Sequence, residues 1–355
     1  MKLFFFLLPC LVFGNWQEDL KQKIADARPP SWMIEQIAED LSAVAPREAA
    51  KDRLDQTMAE QGEKLFLVRY RIDGREVSEE YPASKKGHPR LKDMKQSLQD
   101  LVECAPLPDL DFIISLDDAM DAVDLTTPVF VFAKSRLHKK PLLLIPDFEA
   151  LQHTEAVLKE VRKGIEKYPW DKKKSIAFWR GACTGGTFNL DSFVHCPRSK
   201  LVALSLSFPK LIDARFTLPV TQSDDPDAVG KKFADYFGAS HSIKRHLQYK
   251  YQILIDGNTC AFARAYWQLF SNCPIFKQES PNIQWYYRAL LPYVHYIPFQ
   301  TMSELPSKLE WAKKHDNEVE KISRNGQKFA SEHLKKSDIY YYLYLLLNRY
   351  ADKFP

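Results

Sequence analysis

The sequence lacks the short motifs that mark common metal and nucleotide sites. It has no CxxC pair and no cluster of cysteine and histidine with zinc-binding spacing, so no structural metal is expected. It also has no GxGxxG stretch and no P-loop lysine, which argues against an ordinary NAD-binding protein or an ATPase. The net charge is only +4 and the lysines are dispersed along the chain, so a nucleic-acid partner is not expected.

Long apolar runs are also missing, apart from one at the N-terminus. Residues 3 to 13 form an apolar run that is far shorter than the ~20 residues a membrane span needs. Because Lys2 precedes the run and the small Gly14 follows it, the pattern predicts a signal peptide over residues 1–14. The protein is then expected in a secretory lumen or, if the run is retained, in peripheral contact with a membrane. An apolar strand or helix that is not cleaved is the alternative.

The expected location makes disulfides between the cysteines possible, because an exported protein is in an oxidising environment. By proximity in the sequence, the natural pairs are Cys183 with Cys196 and Cys260 with Cys273. This assignment leaves Cys104 unpaired.

The 355 residues, 45% of them hydrophobic, are enough for two packed domains. Strands are predicted at 64–72, 111–116, 129–134, 141–146, 175–180, 251–256, 273–278 and 294–299. Helical periodicity is found at 31–44, 88–103, 153–168, 263–271, 303–334 and 338–354. This alternation predicts an α/β fold with mainly parallel sheets.

The elements form two groups, which predict two Rossmann-like domains facing a cleft, at 15–168 and 169–336. The tail at 337–355 is predicted to be a helix that packs back on the domains, and a helix on a membrane surface is the alternative. In such folds ligands bind beyond the carboxyl ends of the strands, so the candidate site residues are sought there.

The first candidate is the loop that follows the strand at 175–180. Arg180 ends this strand, and Gly181, Gly185 and Gly186 follow within six residues. Backbone N–H groups of such a loop can surround a phosphate, and a guanidinium beside them can bind it with two hydrogen bonds. A glycine-rich turn with a surface arginine is the alternative.

The second candidate lies at 249–273, where a strand ends in Asp256, Gly257 and Asn258. A helix then begins near Arg264. The start of a helix after a strand is a place where a diphosphate binds. A simple turn with an exposed arginine is the alternative.

The third candidate is the acidic stretch at 109–124. Asp117 and Asp118 directly follow an apolar strand, where a carboxylate can act as a general base toward a hydroxyl nucleophile. Two alternatives remain open. Asp109 and Asp111, or Asp118 with Asp121 and Asp124, could bind a divalent metal, or the stretch is a solvated acidic loop.

Four segments, at 177–185, 207–217, 249–264 and 285–299, together resemble glycosyltransferase family 90. This family includes protein O-glucosyltransferases and capsule-associated xylosyltransferases, and its bacterial branch is usually labelled lipopolysaccharide-modifying. The resemblance covers roughly residues 105 to 345. It implies a GT-B fold, a UDP-sugar donor, no metal or other cofactor, and inversion at the anomeric carbon.

The resemblance also implies roles for individual residues. It assigns the catalytic base to Asp118, with Asp117 as runner-up because Met120 stands where the family often has proline. The donor and phosphate residues that it implies are Arg180, Gly181, Thr184, Gly185 and Arg264. The expected uridine and sugar pocket is formed by Asp256, Gly257, Asn258, Phe262 and Trp285. For Trp285 a place in the core is the alternative.

These expectations combine into one predicted function. The chain is expected to be an inverting, metal-independent glycosyltransferase that moves a hexose or pentose from a UDP-sugar to a hydroxyl of a glycan, a lipopolysaccharide or a protein. The alternatives are a metal-dependent GT-A-type transferase or hydrolase that uses the acids at 109–124, and a non-catalytic sugar-binding protein.

Overall fold

A computed structural model describes residues 15–45, 51–118, 125, 127–137 and 140–354. The predicted signal peptide, Met120 and the acids Asp121 and Asp124 lie outside the described residues. None of the described helices is both long and apolar enough to cross a membrane.

The first half of the chain forms a five-stranded mixed sheet. Its strands are β1 (Leu67–Asp73), β2 (Glu76–Glu80), β3 (Leu110–Ser115), β4 (Val129–Val131) and β6 (Leu142–Leu144), in the order β2-β1-β3-β4-β6. Strands β3, β4 and β6 are parallel, as expected, whereas β1 runs antiparallel to both of its neighbours. The β1–β2 hairpin turns at Gly74, whose φ of 59° favours glycine. Strand β2 was not predicted.

The second half forms a five-stranded sheet that is entirely parallel. Its strands are β7 (Lys174–Gly181), β8 (Ile212–Phe216), β9 (Tyr249–Leu254), β10 (Ile275–Gln278) and β12 (Ile297–Phe299), in the order β12-β10-β9-β7-β8. A short antiparallel pair, β5 (Lys134–Ser135) with β11 (Asn282–Ile283), joins the two halves. The prediction of an α/β protein with parallel sheets is confirmed.

Twelve α-helices of the described residues surround these sheets. They are α1 (Trp16–Asp26), α2 (Ser31–Ser42), α3 (Lys51–Gln61), α4 (Pro89–Cys104), α5 (Thr154–Lys167), α6 (Pro197–Ser207), α7 (Pro226–Lys232), α8 (Ile243–His246), α9 (Phe262–Phe270), α10 (Leu305–Lys314), α11 (Asp316–His333) and α12 (Lys336–Lys353). A π-helical turn, Glu149–His153, precedes α5. The single helix expected at 303–334 is divided, because His315 between α10 and α11 has a non-helical backbone.

Helix α12 is the predicted tail helix, and its aromatic side chains are buried. The Tyr342 hydroxyl donates to the carbonyl of Leu144 at 3.2 Å, and its ring lies 4.6 Å from that of Trp285. Tyr340, Tyr342 and Tyr350 are almost fully buried. The helix therefore packs against strand β6 of the first half and against Trp285 of the second.

The two predicted disulfides are wrong, because all five described cysteines are free. Cys260 and Cys273 lie at opposite ends of the nine-residue helix α9, about 13 Å apart along its axis, whereas bridged Cα atoms lie within about 7 Å. Cys183 and Cys196 are buried in one hydrophobic core as separate thiols. Burial raises the pKa of Cys183 to about 11, so this thiol is protonated at neutral pH.

A buried ion pair joins α2 to the first sheet. Asp40 is fully buried and accepts hydrogen bonds from Lys134 Nζ at 2.7 Å, Gln36 Nε2 at 2.8 Å and the Leu144 backbone N–H at 2.7 Å. Removing the carboxylate would leave the Lys134 ammonium with the Leu142 carbonyl as acceptor but without its counter-charge, and the buried Leu144 N–H without an acceptor.

We therefore expect Asp40→Ala to lower the free energy of unfolding by about 3–5 kcal/mol. Urea denaturation measures the loss. The matched control is Lys21→Ala, which breaks the exposed 2.9 Å pair with Glu18 and should cost below about 1 kcal/mol. Equal losses in the two variants would contradict this account of Asp40.

A second buried carboxyl, Asp147, follows strand β6 and precedes the π-helical turn. It is 3% exposed, and its Oδ1 accepts from the N–H groups of Glu149 and Ala150, each at 3.1 Å. Burial, with a smaller contribution from the charge of Glu149, raises the pKa of Asp147 to about 7. Between its ordinary pKa and about 7, the folded protein therefore binds a proton that the unfolded chain does not.

The contribution of the Asp147 carboxyl to the free energy of unfolding should fall as the pH rises from about 4 to about 7. Asp147→Asn keeps the Oδ1 acceptor but removes the titration. We expect the wild type to lose stability relative to Asp147→Asn between pH 5 and pH 8, measured by urea denaturation at both values. Parallel losses in the two proteins would contradict the raised pKa.

Candidate active site

Three loops meet at the carboxyl ends of strands β3, β7 and β9. Asn258, which follows β9, donates from Nδ2 to Asp118 Oδ2 at 3.3 Å. The Gly185 N–H, in the loop after β7, donates to Asn258 Oδ1 at 3.0 Å. Residues that three separate sequence segments had suggested therefore form one hydrogen-bonded group, which links the two halves of the chain.

Two glycines allow the loops after β7 and β9 to approach each other. Gly185 has φ of +90°, and a Cβ atom there would lie 2.5 Å from the Gly257 carbonyl oxygen. A Cβ on Gly257 would lie 2.6 Å from Thr184 Oγ1 and 2.7 Å from Arg198 Nη2. Gly185 needs glycine, because its φ is positive and a Cβ there would meet backbone atoms. A Cβ on Gly257 would instead displace the side chains of Thr184 and Arg198 from their present positions.

Arg198, at the second position of α6, holds these loops together and was not predicted. It is 8% exposed. Its Nε donates to the Asp256 carbonyl at 2.9 Å, and its Nη1 donates to the Ala182 carbonyl at 3.0 Å and to Thr184 Oγ1 at 2.5 Å. The only sequence signal near it is Pro197, which marks the start of a helix after the glycine-rich loop.

Arg264, in the first turn of α9, lies on the same side of β7 as Arg198. The guanidinium carbons of Arg264 and Arg198 are 5.9 Å and 5.5 Å from the centre of a Trp179 ring. Arg264 Nη2 donates to the carbonyl of Arg180. The structure thus brings Arg264 to the end of β7 and places Arg198 beside it.

Within the described part of the chain, neither Arg198 nor Arg264 forms an ion pair with a carboxylate. Burial lowers the pKa of Arg198 to about 10. Burial and, to a smaller extent, the charge of Arg198 lower the pKa of Arg264 to about 9. The charges of Asp256 and Asp118 act on Arg198 to a smaller extent than burial does. Two neighbouring cations without an ion-pair partner among the described residues form a favourable site for an anion.

Arg180 behaves differently from Arg264. Its Nη2 lies 2.8 Å from Asp213 Oδ1, its Nη1 donates to the Asp213 carbonyl at 3.0 Å, and its guanidinium stacks on Phe178 at 4.4 Å. Because successive side chains of a strand point to opposite faces, the Arg180 side chain and Trp179 lie on opposite sides of β7. The structure therefore brings the Arg180 backbone, but not its guanidinium, to Arg264.

Asp118 is partly exposed, and both of its carboxylate oxygens have partners. Oδ2 accepts from Asn258, and Oδ1 lies 2.9 Å from Nη2 of Arg90, a residue of α4 that the sequence analysis did not single out. The runner-up Asp117 is exposed, and its Oδ1 accepts from the Asp118 N–H at 2.7 Å. Of the two acids, Asp118 is the one that contacts the loop after β9.

The acids considered as metal ligands are engaged by the protein itself where they are described. Asp111 pairs with Arg69 Nε at 2.6 Å and with Arg71 Nε at 3.5 Å. Asp109 accepts from the Gly74 N–H at 3.0 Å. Among the described residues, no group of three or more His, Cys, Asp or Glu side chains could hold a metal ion.

The remaining predicted residues differ in their distance from the site. Asp256 supports the loop after β9, because its Oδ2 accepts from Ser280 Oγ at 2.6 Å and from Asn282 Nδ2 at 3.0 Å. Phe262 begins α9 and packs 5.8 Å from Phe132 of the first half. Trp285 is not at the site: it is 1% exposed and packs in the core, as its alternative interpretation held.

Comparison with known proteins supports the resemblance seen in the sequence. The sequence model described as "Glycosyl transferase family 90" matches residues 29–354. Protein O-glucosyltransferase 2 of Danio rerio is 30% identical over 278 residues, which are 73% of this chain and 50% of the relative.

Two further relatives are more distant. Protein O-glucosyltransferase 3 of Mus musculus is 29% identical over 271 residues, covering 72% of this chain and 50% of the relative. Protein O-glucosyltransferase 1 of Homo sapiens is 26% identical over 263 residues, covering 69% and 63%. The chain thus spans about half the length, or somewhat more, of the relatives it matches.

Proposed function

Because the chain belongs to glycosyl transferase family 90, we propose that it transfers a hexose or pentose from a UDP-sugar to a hydroxyl group. The acceptor is a protein, a glycan or a lipopolysaccharide; the names of the relatives favour a protein. The reaction inverts the anomeric carbon and needs no metal. The two sheets act as the two domains of a GT-B enzyme, and the protein works in a secretory lumen or at a membrane surface.

The observation that carries this proposal is the pair of neighbouring cations, Arg198 and Arg264, which form no ion pair with a carboxylate of the described residues. A UDP-sugar has a diphosphate, which would neutralise both guanidinium groups. The backbone at Gly185 and Gly257 carries no side chain that would keep a phosphate away. Thr184 lies in the same loop as Gly185, and Gly181 ends β7 just before this loop. The Arg180 guanidinium is paired with Asp213 on the opposite face of β7, so Arg180 contributes to the site through its carbonyl, which accepts from Arg264.

In the proposed reaction, Asp118 removes the proton from the acceptor hydroxyl. The hydroxyl oxygen forms a bond to the sugar C1 from the face opposite UDP, and the bond from C1 to the phosphate oxygen breaks. The electron pair leaves with UDP, where Arg198 and Arg264 stabilise the growing negative charge. One displacement of this kind inverts C1, and the arginines supply the positive charge that a metal ion supplies in other transferases.

We expect the protein to bind UDP in the presence of EDTA, and Arg264→Met to weaken the Kd by roughly 10- to 100-fold, since a hydrogen bond to a charged group is lost. Isothermal titration with UDP measures both. The control is Arg324→Met, which removes an exposed arginine of α11 that pairs with Glu320 and should leave the Kd unchanged.

Two results would overturn this assignment: UDP binding that requires a divalent ion, or an Arg264→Met protein that binds UDP as tightly as the wild type does. Arg198→Met is a second test of the cation pair. Because Arg198 also forms hydrogen bonds to two loops, the Kd of Arg198→Met for UDP is compared only if this variant melts at the temperature of the wild type.

We expect Asp118→Asn to lower the transfer rate by roughly 10²- to 10⁴-fold, because the amide cannot accept the proton, while the Kd for UDP stays unchanged. The assay measures UDP released from UDP-glucose and UDP-xylose with a serine-containing acceptor peptide. Asp117→Asn is the matched control and should keep its activity. Loss in Asp117→Asn alone would move the base to Asp117, and UDP binding without turnover in the wild type would favour the sugar-binding alternative.

A further inference from the structure

We propose that Arg90 is a positioning residue for Asp118: it holds the carboxylate in the orientation in which it faces the loops after β7 and β9. This inference rests on the proposed function, because it assigns Arg90 a role in the same reaction. It goes beyond that function by naming a residue that neither the sequence motifs nor the three site loops contain.

The guanidinium of Arg90 is held by three contacts. Its Nη1 donates to the carbonyl of Leu116 at 2.6 Å, and its Nη2 lies 2.9 Å from Asp118 Oδ1. Its guanidinium carbon lies 4.9 Å from the centre of the Phe148 ring. Two hydrogen bonds from one planar group to the main chain and side chain of the same loop fix the direction of the Asp118 side chain.

The backbone of Arg90 also has a defined position, at the start of α4. Pro89 and Arg90 are the first two residues of α4, and the Arg90 N–H donates to the ring Nδ1 of the N-cap His88 at 3.3 Å. Proline at the first position of a helix favours this start of α4. The side chain therefore extends from a defined helix end to the loop at the end of β3.

The second oxygen of Asp118 shows what the orientation achieves. Oδ2 accepts from Asn258 Nδ2 at 3.3 Å, and Asn258 in turn accepts from the Gly185 N–H. While Arg90 occupies Oδ1, Oδ2 points toward the loops that are proposed to hold the donor. The oxygen that must take the proton is thus the one on the donor side.

Other charged groups near Asp118 add to the effect of Arg90. Glu149, at the start of the π-helical turn, is half-buried, and burial raises its pKa. The charges of His153 and Arg90 lower this pKa. The charges of Asp118 and Asp93 raise it to a smaller extent. His153 Nε2 lies 3.0 Å from Asp93 Oδ2. Without Arg90, the carboxylates of Asp118 and Glu149 would repel each other, and Asp118 would turn away from its present position.

The test compares Arg90→Met and Arg90→Lys with the wild type. We expect Arg90→Met to lower kcat by roughly 10- to 100-fold, as for a misplaced catalytic group, with the KM for the donor and the Kd for UDP unchanged. Arg90→Lys, which keeps the charge, and guanidinium added to Arg90→Met should each restore part of the rate. The control is Arg71→Met, whose arginine is partly exposed and pairs with Glu80 at 3.0 Å.

Three results for Arg90→Met would overturn the inference. The first is an unchanged kcat, and the second is a higher kcat, which would mean that Arg90 hinders Asp118. The third is a weaker Kd for UDP that explains all of the lost activity. A crystal structure of Arg90→Met provides a readout without activity. The Asp118 carboxylate should lose its contact with Asn258, and a carboxylate that stays in place would refute the role. If the wild type neither binds UDP nor transfers sugar, the proposed function fails, and the crystal structure alone decides on Arg90.

Discussion

The close approach of the loops after β7 and β9 is the constraint on which the rest of the site depends. Gly185 and Gly257 let the two backbones meet at distances that leave no room for a Cβ atom, and Arg198 bonds to both loops. Only with the loops in this position does Asn258 reach both the Gly185 N–H and the Asp118 carboxylate. The contact between the two halves of the chain at the site therefore follows from backbone packing within the second half.

The fold could be predicted from the sequence where a pattern is local. The apolar runs that became β3, β7 and β9, and the helical periodicity of α2, α4, α5 and α9, carry their own signal. Strand β2 does not: its sequence, EVSEE, is mostly polar because it lies at the edge of the sheet and buries only Val77. Strand β8 alternates buried and half-buried residues around charged Asp213 and Arg215, which hid it from a search for apolar runs.

The site was predictable only in part, because some of its residues come from strand ends and others come from helices whose placement depends on tertiary packing. Gly185 and Asn258 converge because β7 and β9 are parallel neighbours that end at one edge of the second sheet. Asp118 follows β3 of the first sheet and meets them because the two sheets face each other at these ends. Arg198 and Arg90 come from the first turns of helices, and which loop such a side chain reaches depends on tertiary packing. The same dependence placed Trp285 in the core. The separation of Cys260 from Cys273 is instead a local effect of α9, the helix between them.

The distribution of charge gives each anion of the proposed reaction its own cation. Asp118 is compensated by Arg90 from the first half, whereas Arg198 and Arg264 in the second half have no carboxylate partner among the described residues. If one arginine served both anions, the arrival of a diphosphate would remove the partner of the base and bring two negative groups together. With separate cations the donor can bind without disturbing the carboxylate, and the base stays oriented while negative charge grows on the departing diphosphate. The cost is the charge of Arg198 and Arg264, which have no ion-pair partner among the described residues, and the proposed donor would relieve this cost on binding.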